Sequence, residues 1–169
     1  FTRKEDTDTY HITQRFQTPL HPVLQINARK EKIRSVKVNG VPATWQSIES
    51  AHGYPLLSIQ AEGTSSTTIT IEWEGAPLHT LAVQEPVITS NGKLALQIPS
   101  GASISQVYDP QSVLANHTVE ATAFNAQIKG EPGHHTFFVY THQGEMDWWQ
   151  PVNIYIENVW ESPSYTDFA

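Results

Sequence analysis

Hydrophobic residues recur at every second position over much of the chain. In segment 67–73, Ile69, Ile71 and Trp73 alternate with Thr and Glu. A period of two puts these three apolar side chains on one face of a pleated strand. Leu57, Ile59 and Ala61 repeat the pattern, as do Leu94, Leu96 and Ile98, and later Val152, Ile154 and Ile156. Helical periodicity is hard to find, and the runs rich in Thr, Val, Ile, Tyr and Trp suit a half-buried sheet surface. The pattern predicts strands over 9–17, 22–28, 33–38, 41–46, 55–61 and 67–74, then over 79–84, 86–90, 93–98, 103–108, 118–124, 135–142 and 151–158.

Turn chemistry supports this reading. Asn39-Gly40 is a pair that tolerates positive φ, so 33–38 and 41–46 are predicted to form a hairpin. Asn91-Gly92 repeats the signal between 86–90 and 93–98, and Glu131-Pro132-Gly133 marks a loop before the run His135 to Tyr140. Short strands punctuated by regular turns predict an all-β chain with an antiparallel β-sandwich architecture. Gly75-Ala76-Pro77 is the predicted boundary between two closely packed immunoglobulin-like halves, residues 1–76 and 77–160, with 161–169 as a polar tail or linker. The competing arrangement is one sandwich with a single continuous core.

Composition narrows the function classes. With 10 basic and 17 acidic residues the formal net charge is −7, so a phosphate-binding face for nucleic acid or an anionic membrane is disfavoured. No segment approaches the roughly 20 apolar residues of a membrane span. Cysteine is absent, which removes disulfides, thiol nucleophiles and thiolate metal sites. The chain starts at Phe1 without a charged-then-apolar leader, so it reads as a piece of something larger, any targeting signal lying outside it.

Motifs for chemistry are sparse. His134 and His135 point to opposite faces of a strand, and His142 has the opposite parity to His135, so no metal site is expected. Neither a phosphate-cradling glycine loop nor a dinucleotide fingerprint occurs, so no cofactor is expected, and no nucleophile elbow is present. Glu145, Asp147 and Asp109 are the candidates for acid–base work by paired carboxylates. All three sit near turns, where acidic side chains solvate the turn or bind local amides, and no catalytic residue is assigned. Asn116-His117-Thr118 fits the N-glycosylation acceptor pattern. The aromatic residues are the leading functional signal. Trp148 and Trp149 are adjacent, so one ring is expected in the core and the other at the surface. An exposed Trp edged by polar groups suits the apolar face and hydroxyl rim of a sugar. The candidate ligand-binding set is therefore Trp148, Trp149, His134, Gln143, Asp147 and Gln150.

Two stretches carry a family resemblance. The first is Val36-Lys37-Val38-Asn39-Gly40-Val41-Pro42-Ala43-Thr44-Trp45, followed by 55–59 and 68–73. The second is Tyr108-Asp109-Pro110-Gln111, then Gly133-His134-His135-Thr136-Phe137-Phe138-Val139, ending in Gln143-Gly144 and Trp148-Trp149-Gln150-Pro151-Val152. Together they resemble the β-sandwich accessory regions of large bacterial secreted glycoside hydrolases. The resemblance implies a noncatalytic module of a polysaccharide-processing enzyme, secreted, periplasmic or on the cell surface. Its expected partner is a neighbouring catalytic domain of the same polypeptide, or a glycan. Catalytic carboxylates in such enzymes usually belong to a separate domain, so none is carried over. The alternatives are an autonomous carbohydrate-binding module using exposed aromatic rings, and a small β-sandwich glycan hydrolase. A row of exposed rings favours sugar binding, and one broad apolar patch favours a partner domain.

Overall fold

The period-two segments are strands in the computed structural model, which describes residues 1–18, 20–79, 81 and 85–158. Among the described residues there is no helix, and hence none long and apolar enough to cross a membrane. The strands are β1 (Thr2–Lys4), β2 (Thr7–Thr13), β3 (Val23–Asn27), β4 (Lys30–Val38), β5 (Val41–Pro42), β6 (Gln46–Ser47), β7 (Leu56–Gln60) and β8 (Ser66–Pro77) in the first half of the chain. They continue as β9 (Val87–Thr89), β10 (Lys93–Gln97), β11 (Ala102–Tyr108), β12 (Leu114–Val119), β13 (Ala123–Ile128), β14 (Gly133–Gln143) and β15 (Met146–Glu157). Four sheets result, with strand orders β1-β2-β8-β4-β5, β3-β7-β6, β10-β13-β12 and β11-β14-β15-β9.

Alternation decides which side chains are buried. On β8, Thr67, Ile69, Ile71 and Trp73 face inward, and the last three form a first hydrophobic cluster with Val36 of β4 and Leu57 and Ile59 of β7. A second cluster joins Leu94 of β10 and Phe124, Ala126 and Ile128 of β13 to Ile104 of β11, Phe137 and Val139 of β14, and Val152, Ile154 and Ile156 of β15. The sheets of β8 and β7 build most of the first cluster, and those of β13 and β15 build the second. Leu78 packs on the first and Leu81 belongs to the second, so the chain crosses between them just after β8. The crossing comes slightly later than Gly75-Ala76-Pro77, because β8 stays paired with β4 as far as Lys30↔Pro77.

The two clusters share one strand. The inward face of β15 places Met146 and Trp148 in the first cluster and Val152, Ile154 and Ile156 in the second. Between them lies Gln150, whose Oε1 accepts a hydrogen bond from Trp148 Nε1 (3.3 Å). On β14, buried Gln143 holds the joint. Its Oε1 accepts from the His79 amide (3.1 Å), and its Nε2 donates to Pro77 O (3.0 Å) and Glu31 Oε2 (3.4 Å). Glu31 Oε1 accepts in turn from the Ala76 amide (3.1 Å). That backbone bond first, then the bond from Gln143 and the nearby Lys32 and His79, hold its carboxyl below the usual range against desolvation. At the hairpin turn, the Glu145 amide donates to Glu31 O (2.7 Å).

Several sequence expectations are corrected. Strand 9–17 is β2 and stops at Thr13, because Gln14 loops the chain by bonding both the amide and the carbonyl of Leu20. The Asn39-Gly40 hairpin forms, with Asn39 at φ 51° and Gly40 at φ 81°, but pairs only Lys37↔Pro42 and Val38↔Val41. Pro42 has no N–H to extend the ladder, and Gln46–Ser47 joins the other sheet through β7. The Asn91-Gly92 turn makes no hairpin at all. Gly92 N–H closes on Thr89 O, while Asn91 and Gly92 bond the backbone of Ile128, which carries the chain from one sheet to another. The predicted strand 118–124 straddles the turn between β12 and β13. Pairing is not purely antiparallel, since β9 runs parallel to β15. Strand 79–84 falls largely, and the tail 161–169 entirely, outside the described residues.

One ion cluster around a buried carboxylate anchors the first half. Asp8 is 1% exposed. Arg3 reaches it with Nε (2.8 Å) and Nη2 (3.2 Å), Arg29 with Nη1 (2.9 Å), and the buried indole of Trp73 donates Nε1–H to it (3.1 Å). Burial pushes the Asp8 carboxyl up, but the hydrogen bonds from Arg3 and Trp73 and the charges of Arg29 and Arg3 outweigh it and hold the group below the usual carboxylate range.

Two predictions follow from this packing. Asp8→Asn should cost about 3 kcal/mol in urea unfolding at neutral pH, since it strands two arginines and weakens the partner of a buried N–H. Because the folded-state pKa is depressed, the contribution of Asp8 is present above the unfolded value of about 3.9 and is lost as pH falls through the lower folded value. The wild-type chain should therefore lose more stability than Asp8→Asn on acidification below about pH 4. The second concerns Gly144, at φ 63°, where an added Cβ would meet Glu31 O and lie 2.6 Å from Glu31 Cβ. Gly144→Ala should cost about 1–3 kcal/mol by forcing the hairpin away from β4, and an unchanged urea midpoint would contradict this joint.

Candidate functional site

The inward parity of β14 and β15 dictates what they turn outward. With Val139 and Trp148 buried, Phe138, Tyr140 and His142 of β14 and Asp147 and Trp149 of β15 share the opposite face. The register sets Tyr140 opposite Trp149 and His142 opposite Asp147. On the other side of β14, β11 sets Gln106 opposite Tyr140 and Tyr108 opposite Phe138. Rings from three strands thus meet. Trp149 lies 5.0 Å from Tyr140 and 6.4 Å from Tyr108 between centroids, and Tyr108 stacks on Phe138 at 6.2 Å. Tyr108 is 57% exposed.

The first half completes this surface. Segment 51–53 lies along the free edge of β15, where the Trp149 amide donates to Ala51 O (2.9 Å) and the Gly53 amide to Trp149 O (2.8 Å). His52 then presents its ring edge-on to Phe138 at 5.7 Å. Glu49, Gln106, Tyr140 and Trp149 line a cleft of about 320 Å³. Desolvation first, and then the negative charges of Asp147 and Glu49, push the Tyr140 phenol up, so it stays a protonated donor in the physiological range. Beside it, His142 Nδ1 pairs with Asp147 Oδ1 at 2.8 Å. An indole, a phenol, an amide and a carboxylate around one cleft can stack an apolar ligand face and hydrogen-bond its rim.

The sequence-derived ligand set is divided by the sheet. Trp149 and Asp147 belong to the outward face. Trp148 (0% exposed), Gln143 and Gln150 point inward and serve the joint between the clusters, so these three are corrected from ligand edge to packing. His134 faces outward but lies six positions along β14 from Tyr140, about 20 Å away at strand rise. There its Nδ1 meets Glu85 Oε1 at 2.7 Å and its ring packs edge-on to Tyr155. Of the acid–base candidates, Glu145 sits in the turn before β15, off the strand that carries Asp147. Asp109 ties the turn after β11 by accepting the Leu114 amide at Oδ2 (2.8 Å). Among the described residues, no three His, Asp or Glu side chains gather as a metal site.

Sequence reasoning missed Glu49, His52, Gln106, Tyr108, Phe138 and Tyr140. The period of two from Phe138 to His142 was a usable signal within β14. The contributions from β11 and from 49–53 depend on pairings between distant segments, which no local pattern carries. Compared with protein-family models, with curated proteins and with solved structures, the chain matches none.

The two adjacent tryptophans should respond differently to truncation. Trp148→Ala removes a fully buried indole from the first cluster and should cost about 3–5 kcal/mol. Trp149→Ala loses edge and tilted ring contacts at a half-buried position and should cost about 1–2 kcal/mol. Urea unfolding distinguishes them, and equal losses would show that Trp149 is core.

Proposed function

We propose that the chain is a noncatalytic accessory module of a secreted polysaccharide-processing enzyme, each half an immunoglobulin-like β-sandwich, docking on a separate catalytic domain. The observation that carries the docking is the aromatic face of β11, β14 and β15, continued by His52 of the first half. A partly exposed aromatic cluster of this kind, with Tyr108 57% exposed, suits an interaction surface. Its rings lie at interplanar angles of 29° (Tyr108 on Phe138), 55° (Tyr140 with Trp149) and 71° (Tyr108 with Trp149). Rings so tilted offer no common plane to a row of sugar residues, whereas they suit the irregular relief of a protein surface, where aromatic anchors fill pockets. The polysaccharide context comes from the family resemblance.

A second reading, an autonomous carbohydrate-binding module, is favoured by one observation, the cleft that combines Tyr140 and Trp149 with Glu49 and Gln106. The two readings part on one experiment. In the polypeptide that carries this chain together with its neighbouring domain, Tyr108→Lys should split a shared thermal transition in two, or lower the neighbour's melting temperature by several degrees. The same substitution should leave the unfolding free energy of this chain in urea within about 0.5 kcal/mol, as befits an exposed position. An unchanged neighbour would overturn docking through this face. Loss of retention on polysaccharide gels in Trp149→Ala, with the neighbour undisturbed, would establish the second reading instead.

A further inference from the structure

The outward face of the β10-β13-β12 sheet is polar where that of β11, β14 and β15 is aromatic. Leu94, Phe124, Ala126 and Ile128 point into the second cluster, so parity turns Lys93, Ala95, Asn125 and Gln127 outward. The register sets Lys93 opposite Gln127 and Ala95 opposite Asn125 on one side of β13, and Asn116 opposite Gln127 and Thr118 opposite Asn125 on the other. These six residues line a cleft of about 390 Å³, which falls in the size range of small-ligand sites. Its shape has two local causes. A bulge between Leu114 and Asn116 bends β12, and Ala95 places only a methyl group where longer side chains would fill the floor.

The lining holds three primary amides, a hydroxyl and an ammonium over an apolar floor to which Leu94, Ala95 and Ala126 contribute, with no carboxylate and no aromatic ring. Each amide carries a donor end and an acceptor end. Asn116 Nδ2 donates to Gln127 Oε1 (3.2 Å), which orients both amides across the cleft. A ligand that satisfies such a surface needs closely spaced groups that both donate and accept, together with C–H faces that cover its apolar floor. The vicinal hydroxyls and C–H faces of a sugar ring meet that description. A polyanion does not, with one lysine in the cleft and a net charge of −7 on the chain. An extended peptide takes unpaired strand edges rather than a sheet face.

We propose that this cleft is a binding site for a neutral oligosaccharide, with Asn116, Thr118, Asn125 and Gln127 bonding vicinal hydroxyls and Lys93 donating at the rim. The site lies on a different sheet from the aromatic face, and it stands whether or not that face docks a domain. Side-chain amides have their own NMR signals, which makes the test direct. The ¹⁵N-labelled chain is titrated with cellotetraose, maltotetraose, xylotetraose and mannotetraose, and with trigalacturonate as the charged probe. At least one neutral tetrasaccharide should move the amide signals of Asn116, Asn125 and Gln127 saturably. Asn125→Ala and Gln127→Ala should each weaken that binding by about tenfold, the scale of one lost hydrogen bond to a ligand. Ala95→Tyr fills the floor, removes no polar group and suits an exposed strand position, so it should abolish binding while the backbone spectrum persists. No response to any neutral sugar, response to trigalacturonate alone, shifts centred on Tyr140 and Trp149, or binding unchanged in Ala95→Tyr would each overturn the site.

Discussion

A single hairpin holds the molecule together, because β14 and β15 are long enough to serve two hydrophobic clusters. They pair without a break from Gly133↔Ile156 to Gln143↔Met146, and strand rise makes that span about 30 Å or more. One end buries Phe137, Val139, Val152, Ile154 and Ile156 in the second cluster, while the other delivers Met146 and Trp148 to the first. Burying a large apolar side chain contributes a few kcal/mol, so each half depends on the same pair of strands for part of its core. Relative motion of the halves would have to withdraw Trp148 from its pocket.

Polar residues sit where the apolar supply changes hands. Gln150 lies between the clusters on the inward face and Gln143 beside Met146 at the turn end of the hairpin, and both are buried with hydrogen-bond partners. Buried amides are costly unless paired, so their bonds to His79, Pro77, Glu31 and Trp148 specify one geometry for the joint. Gly144 completes it by letting the turn approach the backbone of Glu31 more closely than any side chain would permit. Asp8 plays a comparable part within the first half, where it gives the buried Trp73 indole an acceptor and gathers two arginines from separate segments.

The same constraint creates the outer surfaces. Once Trp148 is held inside, a pleated strand must turn Trp149 and Asp147 out, and the register with β14 sets Tyr140 and His142 beside them. The edge of β15 near Trp149 is then covered by segment 51–53 of the other half, which brings Glu49 and His52 to the aromatic face. On the second sheet of the C-terminal half, burial of Phe124 and Ala126 has the opposite chemical outcome, an outward row of amides. Two faces of contrasting chemistry therefore arise from one rule of alternation applied to two different sets of residues.

Period-two patterning by itself determined that the chain is all-β, which residues of β7, β8 and the second part of β15 are inside, and that Trp148 and Trp149 face opposite ways. These are properties of single strands, carried by neighbours in sequence. The Asn39-Gly40 turn was legible for the same reason, since the positive φ it needs is a property of the two residues themselves. Only the tertiary structure decided that Asn91-Gly92 joins two different sheets, that β9 runs parallel to β15, that Gln143 and Gln150 belong to an internal joint, and that Tyr108, Tyr140, Trp149 and Glu49 meet. Each of those depends on which distant strand supplies the hydrogen-bonding edge and in what register. A strand's own sequence marks its two faces but says little of which partner edge it will find, because backbone N–H and C=O groups are the same in every residue except proline.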